Sequence, residues 1–221
     1  MFVEPKVIDY FTNDMILAKV NGDLDTAAAR KYAVSGFPTA VMLSPDGKEV
    51  DRIVGYAPPD EYLKTLVDYR NGIGTLDDLL NKAKDSTDRT LYYSIADKYK
   101  YRGGSDQAAD WFGKVIAAGQ PTDSLSGESR MAMADLQRRA KKYDDAMASF
   151  VAIEKEFTGS MFAEQANIWQ AILYRQKGDT ASAITAFQKF IELYPKSDDV
   201  EYAKKQIDRL KNPPAPAEKK S

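Results

Sequence analysis

The chain has 221 residues, of which 43% are hydrophobic and 29% charged, and its formal net charge at pH 7 is −2. This composition is typical of globular proteins, and so small a net charge argues against nucleic acid as a partner. The chain has no cysteine and no histidine, which excludes disulfides, thiolate catalysis, Ser-His-Asp triads and zinc sites built from imidazole or thiolate. We therefore expect no catalytic residue, no cofactor and no metal.

No run of the sequence approaches the roughly 20 apolar residues that a membrane span needs, so we expect a soluble protein. The opening MFVEPKVIDYF has acidic residues and an early proline, and it does not read as a secretory signal. Two locations stay open. The chain as written would be cytoplasmic, and it would be periplasmic or otherwise exported if an upstream signal segment is missing.

Residues 1–70 alternate between helical and strand patterns. VIDYF predicts a short helix, MILAKV (15–20) a buried strand, LDTAAARKYAV (24–34) a helix and TAVMLS (39–44) a second strand. The turn residues Pro45, Asp46 and Gly47 predict a β-hairpin whose second strand is 49–54, and a helix over 60–69 follows two prolines. These residues predict a small α/β unit that ends in a hairpin and a helix.

From about residue 71 the strand patterns disappear and helical spacing takes over. The pattern Ala-x3-aromatic-x2-apolar begins at residues 108, 146 and 183, so that its spacings are 38 and 37 residues. Twelve residues before each of these alanines stands another alanine, at 96, 134 and 171, where two helices of a hairpin would cross closely. Three aligned units of this kind predict stacked helical hairpins.

This pattern resembles the tetratricopeptide repeat, a unit of about 34 residues with small residues at the helix crossing and a late proline. The resemblance covers about residues 90–196 and is clearest in the third unit, which ends in Leu193-Tyr194-Pro195. Residues 198–210 are expected to form a capping helix. An unrelated helical bundle is the alternative.

The first part of the chain carries the loop Gly36-Phe37-Pro38-Thr39 between a helical pattern and the predicted hairpin, and with this order of elements it is similar to the C-terminal portion of a thioredoxin fold. In that family the proline of the loop is cis, and the residue before it offers backbone hydrogen bonds to an extended peptide. The resemblance assigns these roles to Pro38 and Phe37. The alternative is that Pro38 only begins the strand that follows it. The residues that carry it are MILAKVNGD, AAARKYAV, the loop Gly36-Phe37-Pro38-Thr39, the hairpin around Asp46-Gly47, and the closing Val54-Gly55-Tyr56 and Glu61-Tyr62-Leu63.

The departure from that family is as informative as the match. The family's first strands and its Cys-x-x-Cys helix do not precede Met1, so the chain as given cannot exchange thiols. In the complete fold the missing central strand lies between the segments at 15–20 and 39–44. Either these two segments pair directly, or a second chain donates a strand, or the missing part was lost when the start of the sequence was defined; we favour the third.

We thus expect an α+β / α protein with three parts. Residues 1–72 form an N-terminally incomplete thioredoxin-like α/β unit, and residues 73–211 form an all-α tetratricopeptide-like solenoid with a capping helix. Residues 212–221 (NPPAPAEKKS) are expected to be a disordered tail because their composition cannot bury enough apolar surface.

Four pairs of acids each open a predicted helix, where helix capping explains them better than catalysis does: Asp23/Asp25, Asp77/Asp78, Asp144/Asp145 and Asp198/Asp199. The basic cluster of Arg138, Arg139, Lys141 and Lys142 is explained by the C-terminal end of a helix, where basic side chains interact favourably with the free carbonyls. The alternative is that this cluster anchors an acidic peptide. A helical-repeat groove would be lined by the first helix of each hairpin, roughly 90–100, 130–141 and 163–176. The candidate peptide-binding residues are Phe37, Pro38, Tyr92, Tyr99, Arg138, Trp169 and Tyr174.

The leading hypothesis is a redox-inactive scaffold that binds peptides or partner proteins through this groove and the proline loop. A second hypothesis is a fragment of a thiol-disulfide oxidoreductase or isomerase whose Cys-x-x-Cys lies upstream. A third is an architectural repeat protein of an envelope assembly. The exposed strand edge also offers a route to a homo-oligomer.

Overall fold

The computed structural model describes residues 4–22 and 24–213. The predicted disordered tail lies outside the described residues from position 214 onward. The chain divides into two compact units, residues 1–114 and residues 115–221, which we call unit 1 and unit 2. Within the described ranges, no helix combines the length and the apolar character that crossing a membrane demands.

Unit 1 begins with an α/β segment and continues with helices. Proline at the first turn starts both α1 (Pro5–Asn13) and α3 (Pro59–Arg70), where its missing N–H costs nothing. The side chain of Asp25 caps α2 (Thr26–Lys31) by accepting a hydrogen bond from the Ala28 N–H at 3.0 Å. The elements are α1 (Pro5–Asn13), α2 (Thr26–Lys31), β1 (Thr39–Leu43), β2 (Glu49–Val54), α3 (Pro59–Arg70), α4 (Leu76–Lys82), a 3₁₀ turn (Ala83–Asp85), α5 (Arg89–Tyr101) and α6 (Ser105–Ala117).

The predicted hairpin is confirmed. Strands β1 and β2 pair antiparallel, with Thr39 opposite Val54, and Gly47 takes the positive φ of 80° that the turn requires. The face of the hairpin that carries Met42 packs on Tyr62 and Leu66 of α3. This small cluster is the apolar core of the α/β segment.

The predicted buried strand at 15–20 is wrong. Within the described residues the sheet has two strands only, and residues 15–20 have no regular secondary structure. Ile16 is 96% exposed, and Leu17 and Val20 are about half exposed. The physical reason is that an apolar run becomes a buried strand only when a neighbouring strand satisfies its backbone, and no described strand lies beside it.

A buried cluster of charges joins the hairpin to the helices that follow it. Asp51 is fully buried, and its carboxylate lies 3.0 Å from Lys98 Nζ and 3.0 Å from Arg102 Nη2. Its neighbour Arg52 lies 2.6 Å from Glu49 and donates to the Tyr32 carbonyl at 2.8 Å. These contacts explain why unit 1 extends beyond residue 72, and the domain boundary expected there stays a prediction.

Unit 2 is a stack of helices in which each helix packs on the next, and α7 (Ser124–Arg139) also packs on α9 (Met161–Gln176). Contact between every second helix is what stacked helical hairpins produce, because their first helices lie side by side. The fold class expected from the sequence, an α/β segment followed by a helical array, is confirmed. The helices are α7 (Ser124–Arg139), α8 (Tyr143–Glu156), α9 (Met161–Gln176), α10 (Thr180–Leu193) and α11 (Val200–Lys211), the last being the expected capping helix.

The repeated positions lie where the repeat pattern puts them. All six alanines of the pattern have no exposed surface, and the three phenylalanines that follow the second set of alanines are also fully buried. An alanine at a crossing point lets two helix backbones approach closely, because a larger side chain would hold them apart. The residues are Ala96, Ala108, Ala134, Ala146, Ala171, Ala183, Phe112, Phe150 and Phe187.

Candidate peptide-binding surfaces

The first candidate surface lies at the start of the hairpin in unit 1. The Phe37–Pro38 peptide bond is cis, and the Gly55 N–H donates to the Pro38 carbonyl at 2.8 Å. The Thr39 hydroxyl donates to the Gly36 carbonyl at 2.7 Å, which closes the loop from its other side. These bonds hold the loop beside the end of β2.

Exposed aromatic rings flank this loop. Phe37 is 65% exposed and Tyr56, which follows Gly55, is 73% exposed. We call Phe37, Pro38 and Tyr56 the proline-loop patch. Exposed aromatic side chains offer large apolar contact area at low cost in conformational entropy, as they do in many protein interfaces.

The Phe37 ring rests on Gly22. A Cβ atom built at Gly22 would lie 2.2 Å from the end of that ring, so a larger residue there would displace it. Glycine at position 22 is therefore a condition for the present position of the Phe37 side chain.

Tyr56 was not among the candidates from the sequence. The signal that could have found it is the hairpin register, because pairing Thr39 with Val54 brings Gly55 opposite Pro38 and leaves Tyr56 next to the loop. The turn residues at 45–47 alone do not predict that register, because an irregularity between Met42 and Leu43 shifts the pairing by one residue.

The second candidate surface is in unit 2, on the first helices of consecutive hairpins. The Arg138 guanidinium of α7 lies 4.9 Å from the centre of the Trp169 ring of α9, and Phe150 stacks on that ring at 6.1 Å. Both Arg138 and Trp169 are partly exposed. The structure thus brings together two of the sequence-based candidates, and we call this pair the α7–α9 surface.

Asp135 holds the arginine in place. Its carboxylate accepts hydrogen bonds from Arg138 Nη2 at 2.6 Å and from Arg139 Nε at 2.6 Å. The basic cluster expected at the end of α7 is therefore partly neutralised by an acid on the same helix. Lys141, in the turn that follows, has a positive φ of 60°.

The remaining candidates are less suited to ligand contact. Tyr92 in unit 1 packs on Trp111 with 5.3 Å between ring centres, and its hydroxyl donates to the Ser86 carbonyl. Tyr99 is half-buried against the Gly103-Gly104 turn, where a Cβ at Gly104 would lie 3.1 Å from its ring. Tyr174 is half-buried on α9 beyond Trp169.

Acidic side chains serve mainly structural roles. Asp179 caps α10 by accepting from the Ser182 N–H at 3.0 Å, and hydrogen bonds from the Ser182 side chain and backbone lower the pKa of its carboxyl. The pKa of Asp78 is lowered by its hydrogen bonds to Lys82 and to the Gly74 N–H. The capping expected of the paired acids is confirmed for Asp25 at α2 and is wrong at the other three helices. Thr75 caps α4, α8 has no side-chain capping bond while its Asp144 pairs with Lys177, and Asp199 makes no side-chain capping bond to α11. In the described part of the chain no group of three acids could hold a metal ion.

Two family models match separate parts of the chain. A model described as a thioredoxin-like domain matches residues 2–70, and a model described as an outer membrane lipoprotein, YfiO, matches residues 130–204. The thioredoxin of Chlamydia caviae is 39% identical over 54 residues, which cover 24% of this chain and 52% of that protein. The chain thus spans about half the length of the curated relative that it matches.

The two matches fall on the two kinds of structure described above. The thioredoxin-like match ends at residue 70, where α3 ends, and the second match runs from α7 into α11. The chain therefore consists of a thioredoxin-like domain followed by tetratricopeptide-like helices.

Proposed function

We propose that this protein is a binding module that holds peptides or partner proteins on its α7–α9 surface, with the proline-loop patch as a second contact. The observation that carries the proposal is the Arg138 guanidinium over the Trp169 ring, which links the first helices of two consecutive hairpins. Stacked helical hairpins bind partners on the surface that their first helices form.

The chemistry of this pair suits recognition of a peptide. Arginine and tryptophan are enriched among the residues that dominate binding energy at interfaces. Asp135 accepts from Arg138 Nε and Nη2, and among the described residues no partner contacts Nη1. That nitrogen is free to donate to a carbonyl or carboxylate of a peptide lying across Trp169.

The proline-loop patch also suits a peptide ligand, but it would contact a different part of that ligand. A thioredoxin-like domain implies that the backbone of Phe37 pairs with an extended peptide beside Pro38. The exposed rings of Phe37 and Tyr56 would then contact apolar side chains of that peptide. This contact needs no cysteine, since backbone pairing and apolar contact carry it.

Selection from a library of displayed random peptides, followed by affinity measurement on the selected peptides, tests the proposal. We expect Trp169→Ala and Arg138→Ala to weaken binding by about tenfold or more, as loss of a dominant interface residue does. Val151→Ala, at an exposed position of α8, is the matched control and should leave the affinity unchanged. Selected peptides that bind all variants equally would contradict the assignment of the surface.

A second candidate function is thiol-disulfide exchange by a longer protein of which this chain is a part. The similarity to a thioredoxin favours it. Its test is whether the reading frame upstream of Met1 encodes Cys-x-x-Cys, together with an insulin-reduction assay of the longer product. A closed frame would eliminate it, and so would an open frame whose longer product is inactive.

The match to an outer membrane lipoprotein model also favours the envelope of a bacterial cell as the place where partners are met. Fractionation of cells that express the full-length gene tests this location. Recovery in the cytoplasmic fraction alone would contradict it.

A further inference from the structure

The turn between α5 and α6 lies against the segment that leads into the loop around Pro38. A Cβ atom built at Gly103 would lie 3.0 Å from the Cβ of Ala33, which stands two residues after the end of α2. The backbone of Gly103 has a φ of 79°, so the turn itself favours glycine. The missing side chain at position 103 leaves the space in which the methyl group of Ala33 contacts the turn.

Ala33 is held in a conformation that alanine rarely adopts. Its φ is 49°, in the left-handed region that a residue with a Cβ disfavours. Its N–H donates to the Arg30 carbonyl at 3.1 Å, and the N–H of Val34 donates to the Ala29 carbonyl at 2.8 Å. Such a residue persists where the surrounding structure fixes it. Ala33 is fixed by the end of α2 on one side and by the turn at Gly103 on the other.

A buried arginine joins the same two places. The guanidinium of Arg52 donates to the carbonyl of Tyr32, just before Ala33, at 2.8 Å and to the carbonyl of Tyr101, at the end of α5, at 2.5 Å. Glu49 holds this guanidinium through two further bonds, of 2.8 Å and 2.6 Å. Because Arg52 is only 6% exposed, little water competes for these bonds. The β-hairpin therefore links the segment before the loop to the end of α5.

The connection from Ala33 to the proline-loop patch is short. Four residues separate Ala33 from Pro38, and the Gly55 N–H holds the Pro38 carbonyl at 2.8 Å. Because both ends are fixed, a displacement of Ala33 has to be taken up within these four residues, of which Phe37 is the last. The position of Ala33 therefore bears on the position of Phe37.

We infer that the turn at Gly103 is a positioning element of the proline-loop patch, which it fixes through Ala33 and Arg52 for contact with an extended peptide. This inference rests on the function proposed for that patch. The helices that follow the thioredoxin-like domain then contribute to its binding site without touching the ligand. Their contribution is preorganisation, since a loop that is already fixed loses less conformational entropy when a peptide binds.

The variant Gly103→Ala tests the contact, because its added methyl group would press on Ala33. We expect the NMR amide signals of residues 34–37 to shift more than those of the rest of the α/β segment. In an Ala33→Gly background the opposing methyl group is absent, so the same change should leave these amides where Ala33→Gly alone puts them. Gly178→Ala is the matched control, because Gly178 has a φ of 80° in the corresponding turn after α9 but nothing within 4 Å of its built Cβ.

Peptide affinity supplies the second readout. Displayed random peptides are selected against the full chain with Trp169→Ala, which lacks the tryptophan of the α7–α9 surface. In that chain we expect Gly103→Ala to weaken the selected peptides about fivefold or more, through loss of preorganisation. Arg52→Lys should act in the same direction, because an ammonium group cannot bond both carbonyls as the guanidinium does. Gly178→Ala should leave the affinity unchanged.

Amide signals at 34–37 that Gly103→Ala leaves in place would overturn the inference. Shifts of equal size in the Ala33→Gly background would also overturn it, because strain in the turn would then be their cause. So would an unchanged affinity for the selected peptides. The amide shifts need no ligand, so they decide the inference even if no peptide binds the Trp169→Ala chain, a result that would instead remove the patch from the proposed function.

Discussion

At the scale of single residues, the carboxylate of Asp51 has four partners in unit 1. It accepts hydrogen bonds from the N–H of its neighbour Arg52 and from the Leu76 N–H at the start of α4, and it pairs with Lys98 on α5 and with Arg102 just after α5. A fully buried carboxylate is tolerated only when it is paired and hydrogen-bonded in this way. Asp51 therefore fixes the hairpin against the helices that follow it.

We predict that Asp51→Asn destabilises unit 1 by about 3–5 kcal/mol, because the change leaves Lys98 and Arg102 without their buried counter-charge. The measurement is denaturant unfolding in a Trp169→Phe background, where Trp111 reports unit 1. The control is Asp144→Asn, which removes an exposed pair with Lys177 and should leave the midpoint unchanged. Equal midpoints for Asp51→Asn and the parent would show that the cluster does not hold the unit together.

The capping residue Asp179 leads to a prediction of how the stability of the protein depends on pH. Its folded pKa lies below the ordinary value of 3.8, mainly because the Ser182 side chain and N–H bond to the carboxylate. The stability it contributes is therefore fully present above pH 3.8 and is lost as the pH falls through the lower folded pKa. We expect the destabilisation caused by Asp179→Ala to shrink over that acidic range.

Thermal unfolding at a series of pH values measures this effect. Asp179→Asn is the control, because an amide can still cap the helix but does not titrate. A penalty for Asp179→Ala that stays constant down to the lowest pH would contradict the capping role.

At the scale of elements, Gly127 in α7 shows that packing can reverse a helix propensity. A Cβ at Gly127 would lie 2.6 Å from the Phe162 ring of α9, whereas a Cβ at Gly113 in α6 would meet nothing within 4 Å. We predict that Gly127→Ala destabilises the protein by about 1–3 kcal/mol through overpacking. Gly113→Ala should instead stabilise it by about 0.5–1 kcal/mol.

Denaturant unfolding of the two alanine variants gives the comparison directly. The two changes are chemically identical and both lie inside helices, so they differ only in what surrounds the new methyl group. If both variants were stabilised, the contact between α7 and α9 at Phe162 would be looser than described.

The elements also show what can be predicted from the sequence. The strand at 49–54 was predicted with its observed bounds, because Asp46-Gly47 specifies a turn. The buried alanines followed from helical spacing. The segment at 15–20 was misjudged because an apolar run does not reveal whether a neighbouring strand exists, and Asp51 was missed because its partners are distant in sequence.

The sequence also identifies some residues of the candidate surfaces and not others. Arg138 and Trp169 were both candidates, but their contact depends on the stacking of α7 on α9, which spacing alone does not specify. Tyr92 stays a prediction, and in the structure it packs on Trp111 and donates to the Ser86 carbonyl. Tyr56 was overlooked because its position depends on the hairpin register.

At the scale of the whole molecule, the chain has two compact units, and each contains one of its two tryptophans, Trp111 and Trp169. The thioredoxin-like domain offers the proline-loop patch, and the tetratricopeptide-like helices offer the α7–α9 surface. The first surface consists of Phe37, Pro38 and Tyr56, and the second consists of Arg138 and Trp169.

The most direct test of the binding function is chemical-shift mapping by NMR with a peptide selected against the full chain. We expect the largest shifts on α7 and α9, including the indole N–H of Trp169, and we expect Trp169→Ala to abolish them. Shifts confined to α10 and α11, or a map that Trp169→Ala leaves unchanged, would contradict binding at the α7–α9 surface.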